Sequence, residues 1–152
     1  MPKINLSQEI LDRGKVPELG WSYATLRSAT EFIQKPADGS SKKPGVNYRF
    51  EFQCESGPEK KDTNKGRFAS VSFTSQFLGM GEGNTGDPAT IQKMANMIAS
   101  LNGISPKDLT PDQYDTDPLI GKSCWIKIDY NTYNDRNWIT ISDFSSDAEI
   151  PF

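Results

Sequence analysis

The stretch Val46–Glu55, VNYRFEFQCE, decides the fold. Val46, Tyr48, Phe50, Phe52 and Cys54 alternate with Asn47, Arg49, Glu51, Gln53 and Glu55. A period of two marks a strand with one buried and one wet face, because successive side chains leave a pleated chain on opposite sides. Burial on one side only is the habit of antiparallel sheets. Both flanks are loop by composition. Lys35–Gly45 reads KPADGSSKKPG and Ser56–Gly66 reads SGPEKKDTNKG, each dense in residues that favour turns.

Outward from this strand the pattern repeats. Upstream, Trp21–Gln34 is rich in β-branched and aromatic residues and reads as a long strand. Ala24, Leu26, Ser28, Thr30 and Phe32 share one parity while Trp21 and Tyr23 take the other, so a bulge in a bent strand is expected. Residues 1–20 form a lead-in broken by Gly14, Pro17 and Gly20, with room for a helical turn around Leu6–Leu11. Downstream, Arg67–Leu78 turns Ala69, Val71 and Phe73 inward against Ser70, Ser72 and Thr74. A helix follows, with Asp87 as N-cap, Pro88 at N1 and Gly103 as the stop. Its apolar stripe is Ile91, Met94, Ala95, Ile98 and Leu101. Ser105-Pro106 and Thr110-Pro111 each open at most one short turn.

Two strands close the domain. Cys124, Ile126, Ile128 and Tyr130 point inward, and Trp125, Lys127 and Asp129 outward. Asn131–Arg136, NTYNDR, is hairpin chemistry, after which Ile139 and Ile141 return inward and Trp138, Thr140 and Ser142 face out. The order β-β-β-α-β-β, mainly β with one principal helix, is that of the OB-fold, a five-stranded, partly open barrel. A β-sandwich accounts less well for one capped helix at that point. Residues 1–144 are read as this domain and residues 145–152 as a flexible acidic tail.

Composition narrows the chemistry. The 152 residues include no histidine, which removes Ser-His-Asp and Cys-His triads and any imidazole base. A chain of this length forms one domain that buries about 70% of its unfolded surface without staples. Cys54 and Cys124 cannot complete a zinc site and read as small core residues rather than a disulfide. No apolar run approaches the roughly 18 residues of a membrane span. The first residues lack the pattern of a signal peptide, so a reducing cytoplasm is expected. The net charge of −3 hides a division: residues 1–79 carry 12 basic and 9 acidic side chains, residues 80–152 carry 5 and 11.

Motifs for catalysis fail on context. Gly81–Gly86 fits G-x-G-x-x-G, but Ser-Pro-Lys-Asp-Leu-Thr-Pro after the helix cannot be the second strand of a dinucleotide fold. Asp108, Asp112, Asp115 and Asp117 do not follow calcium-loop spacing and read as a solvated loop. The expectation is no enzyme, no metal and no cofactor.

Binding residues converge instead. In an OB-fold the ligand crosses strands 2 and 3, between the first and last interstrand loops. The first of those loops holds Lys35, Lys42 and Lys43, and the last holds Tyr133 and Arg136. The loop between strands 2 and 3 adds Lys60, Lys61 and Lys65, followed by Arg67 and Phe68. Arg49, Trp125, Lys127 and Trp138 occupy outward strand positions. Cations that track phosphates, interleaved with aromatic faces that stack on bases, are the composition of single-strand binders.

The last six residues, Asp147-Ala148-Glu149-Ile150-Pro151-Phe152, resemble the C-terminal tip of bacterial single-stranded-DNA-binding proteins. That resemblance implies docking on replication, recombination or repair proteins. Phe152 would be the anchor, Pro151 and Ile150 its support, and Asp147 and Glu149 the acids. The body of the chain more nearly resembles phage-encoded single-strand binders, through Asp117-Pro118-Leu119-Ile120-Gly121-Lys122 and Asn137-Trp138. A tail placed directly after the last strand departs from the long linker of the bacterial family.

The expectation is therefore a non-enzymatic protein that coats single-stranded DNA in phage-type replication, in the host cytoplasm if phage-encoded. Homo-oligomerisation is left open. Two alternatives stand beside it: a protein-interaction or oligomerisation module, and an OB-like carbohydrate binder.

Overall fold

The computed structural model describes residues 3–34, 45–57, 62–81, 83–111, 114–133 and 135–146. Five strands form one antiparallel sheet: β1 (Gly20–Gln34), β2 (Gly45–Cys54), β3 (Phe68–Thr74), β4 (Ser123–Tyr133) and β5 (Arg136–Ser145). Their order is β3-β2-β1-β4-β5. Long, bent β1 pairs with β2 and β4 on its two sides, and the curl brings the edge strands β3 and β5 within 8 Å of each other. Among the described residues no hydrogen-bonded ladder joins those two edges. The architecture is an open, barrel-like β-sheet.

The expected bulge is present in β1, between Leu26 and Ser28. Arg27 is the extra residue, and it changes the parity. Ala24 and Leu26 face inward opposite Cys54 and Phe52, but beyond the bulge Ala29 faces inward opposite Phe50. Ser28, Thr30 and Phe32 are thereby turned to the outer face, opposite Glu51, Arg49 and Asn47.

The core is the inner face of the curled sheet. Phe50 meets Phe73 edge-on with centroids 5.9 Å apart, and Phe52 reaches across to Phe144 at 5.7 Å. Cys54 and Cys124 are free, buried thiols on either side of Ala24, and burial pushes both up to about 12.

Helix α2 (Pro88–Leu101) packs against β5. Asp87 Oδ2 accepts from Thr90 N–H at 3.1 Å, as the cap reading requires. Gly103 ends the helix at φ +71°, a left-handed conformation that costs glycine little. The buried stripe is rotated from the one read in the sequence: Met97 and Leu101 are buried, Met94 and Ile98 partly so, and Ile91 lies exposed. Burial is concentrated at the C-terminal end of the helix, where Met97, Ala99, Ser100 and Leu101 are all covered.

Two further boundaries differ. β3 stops at Thr74, and Ser75–Leu78 is a turn of 3-10 helix. β5 runs on to Ser145, opposite Trp125.

The lead-in forms helix α1 (Gln8–Arg13), capped by Ser7, whose Oγ accepts from Ile10 N–H at 3.2 Å. It is moored by Asn64, which is fully buried. Asn64 Oδ1 accepts from Glu18 N–H at 2.6 Å, and Nδ2 donates to Glu18 O at 2.9 Å and Ser22 Oγ at 2.8 Å.

Candidate nucleic-acid interface

The outer face of β1, β2 and β3 is a polar ladder in which Phe32, Arg49, Glu51, Gln53 and Phe68 are the larger side chains. Its rows are Phe32–Asn47–Thr74, Thr30–Arg49–Ser72, Ser28–Glu51–Ser70 and Thr25–Gln53–Phe68. Arg49 stands exposed near the middle, Phe32 is 48% exposed at one end, and Phe68 lies half-buried at the other. Serine and threonine around them leave space for a flat ligand and offer hydroxyl donors. Phe32 was not singled out from the sequence; only the bulge puts it here.

Phe68 does not stand bare. The Arg13 guanidinium of α1 sits over its ring, 4.2 Å from the centroid, and Arg13 Nη1 donates to Glu51 Oε2 at 2.5 Å. The Glu51 hydrogen bond holds the guanidinium above its ordinary value. Arg13, Arg49, Glu51, Phe68 and Ser70 line a cavity of about 230 Å³. Nothing local in the sequence announces this contact, since Arg13 and Glu51 are 38 residues apart.

The cations near it fall into two kinds. Lys65 is exposed at the end of the loop before β3. Arg67 is half-buried and donates from Nη1 to Val16 O at 2.8 Å, so it braces the N-terminal segment. Lys35, Lys42, Lys43, Lys60 and Lys61 lie outside the described residues, as do the tail residues Asp147, Glu149, Ile150, Pro151 and Phe152.

The second feature is a two-stranded arm. β4 is paired with β1 only as far as Ile128, whereas β4 and β5 stay paired to Tyr133 and Arg136. The arm carries exposed Arg136, Trp138 at 44% exposure and Tyr130 at 55%. Tyr130 has the inward parity expected of it, but the arm has outrun the core that would cover it. The backbone of Tyr133 pairs with Arg136 at the tip.

The two outward tryptophans part company. Trp138 is exposed, opposite Asn131. Trp125 is only 6% exposed and meets Tyr23 in a T-shaped contact at 5.4 Å. Both were expected to stand outward on neighbouring strands; for Trp125 that expectation is corrected. Six residues along β4 separate the two positions, about 20 Å of strand. Trp125 is buried because β1 and β5 flank it and supply Tyr23 and Ser145 as cross-strand neighbours. Lys127 is exposed between Trp21 and Asp143 in its row.

Among the described residues no group of His, Cys, Asp or Glu is placed to hold a metal ion, and no helix is long and apolar enough to cross a membrane. No known family matches the chain, and no curated protein does. What the surface offers is a sheet face with a cation, one open phenyl ring and one covered by Arg13, and an arm that carries a cation, an indole and, at the opposite parity, a phenol. That set can hold a flexible, anionic, aromatic polymer by charge and stacking.

Proposed function

We propose that this chain is an OB-type protein that binds single-stranded DNA with little sequence preference and coats it during phage-type replication or recombination. The observation that carries the reading is the outer face of the β1-β2-β3 meander, where Arg49, Phe32 and Phe68 stand among small hydroxyl side chains. The strand order, the approach of β3 to β5 and the placing of α2 between β3 and β4 support the OB topology. In such a protein no bond is made or broken. Arg49, Lys65, Lys127 and Arg136 neutralise phosphates, while Phe32, Trp138 and Tyr130 offer ring faces to bases at about 1–3 kcal/mol each. The loop lysines add charge, and the terminal Asp147–Phe152 segment recruits replication or repair proteins.

The test is tryptophan fluorescence titrated with oligo-dT and with duplex DNA, at low and high salt. Oligo-dT should quench at low salt and bind more tightly than duplex. With three to five phosphates neutralised, log affinity should fall against log salt with a slope of about −2 to −4. Silence towards oligo-dT at low salt refutes the reading. A second reading, a protein-interaction module, is favoured by one observation: Ile4, Leu6, Ile10, Leu11 and Val16 are all exposed on the N-terminal segment. Self-association without DNA binding would support it instead.

A further inference from the structure

Helix α1 lies where the proposed DNA face should be open. The Arg13 guanidinium sits over the Phe68 ring, 4.2 Å from its centroid, on the ring face a stacked base would need. Below it, Glu51 holds the same guanidinium at 2.5 Å, and beside it Glu9 pairs with Nη2 at 3.4 Å. Asp12 adds a fourth charge at Gly66, where any Cβ would come within 2.9 Å of its Oδ2. With α1 in place, Glu51 and Glu9 hold Arg13 at this end of the β2–β3 face, and Asp12 pairs with Lys15 at 3.7 Å. The guanidinium over Phe68 is thus committed to carboxylates rather than free for a phosphate.

The ties on the two sides of Gly14 differ in kind. Downstream, Pro17 is buried and Glu18 is clamped by buried Asn64. Upstream, α1 buries none of its six residues. A helix of that length has no stability of its own in water, so surface contacts alone keep it there. The segment is built to lift at Gly14 while its root stays fixed.

We propose that α1 is a displaceable strap over a base-stacking subsite, in which Arg13 stands in for a base on Phe68 until single-stranded DNA takes the ring. This rests on the single-strand-binding reading and adds its regulation. When a base displaces Arg13, the guanidinium leaves Glu51 and becomes available to the adjacent phosphate. The site then exchanges one cation–π contact for a stack, and the guanidinium exchanges the Glu51 carboxylate for a phosphate.

Millisecond hydrogen exchange on the full-length protein tests this. Saturating oligo-dT should speed exchange at amides 8–14 severalfold while β2 and β3 stay protected. Without DNA, Glu51→Gln should speed the same amides about two- to fivefold, the range of one surface ion pair. Glu55→Gln, which removes an equal charge away from Arg13, should leave them unchanged. If oligo-dT quenches fluorescence but amides 8–14 slow or stay constant, DNA lies on top of α1 and the strap is refuted while DNA binding stands. If oligo-dT does not bind at all, both readings fall together. Unchanged exchange in Glu51→Gln refutes the latch.

Discussion

The mooring at Asn64 makes the sharpest claim about stability. Its carboxamide is fully buried and makes three hydrogen bonds, two of them to the backbone of Glu18 and one to Ser22. Asn64→Ala removes all three and leaves a small void. Net hydrogen bonds are worth about 1 ± 0.5 kcal/mol each, but the Glu18 backbone sits near the surface and regains water. The expected loss is about 2–3 kcal/mol, a large share of the 5–15 kcal/mol typical of a domain. With a urea m-value of about 2 kcal/mol/M, the midpoint should fall by about 1–1.5 M at unchanged m. Ser22→Ala, which breaks one bond, should cost about 1 kcal/mol. Equilibrium urea unfolding followed by tryptophan fluorescence measures both. A loss under about 0.5 kcal/mol for Asn64→Ala would mean that water replaces the clamp without penalty, and the fixed root of the N-terminal segment would be refuted.

Three other outcomes are expected. Asp87→Ala removes the cap of α2 and should cost about 1 kcal/mol, lowering Tm by about 2–4 °C in a thermal melt. Trp138→Phe should abolish most oligo-dT quenching while Trp125→Phe keeps it, and the reverse would place DNA on the wrong end of the β4–β5 ribbon. Burial raises the Cys54 and Cys124 thiols to about 12, so neither should react with iodoacetamide at pH 8 until the protein unfolds. Because the folded values lie above the unfolded ones, the folded state holds protons that the unfolded state loses. That contribution is intact below the ordinary thiol value near 9 and is lost as pH rises towards 12, by about 1.4 kcal/mol per pH unit per thiol. A urea midpoint that held constant from pH 9 to 11, or that fell as steeply in Cys54→Ala and Cys124→Ala as in the parent protein, would contradict it.

The sequence by itself determined the elements, and in the central strands their inward residues, though in α2 the period did not say which side of the helix the sheet would cover. The alternation of Val46–Glu55 requires one dry face, and the structure buries Phe50, Phe52 and Cys54 as that alternation demands. The cap at Asp87 and the stop at Gly103 were legible because both act within a few residues of themselves. The bulge in β1 was legible as a parity conflict, but its position was not, and so Phe32 went unread as an outward ring.

What only the tertiary structure decided is which outward residues remain outward. Alternation gives a side chain its face of the sheet and says nothing of what crosses that face. Trp125 and Trp138 have the same parity, yet β1 and β5 flank one, and the other rides an arm that has left the barrel. Phe68 faces out, yet Arg13 reaches it from the far end of the sequence. Exposure and ion pairing depend on contacts between segments tens of residues apart, and those contacts exist only once the sheet has curled.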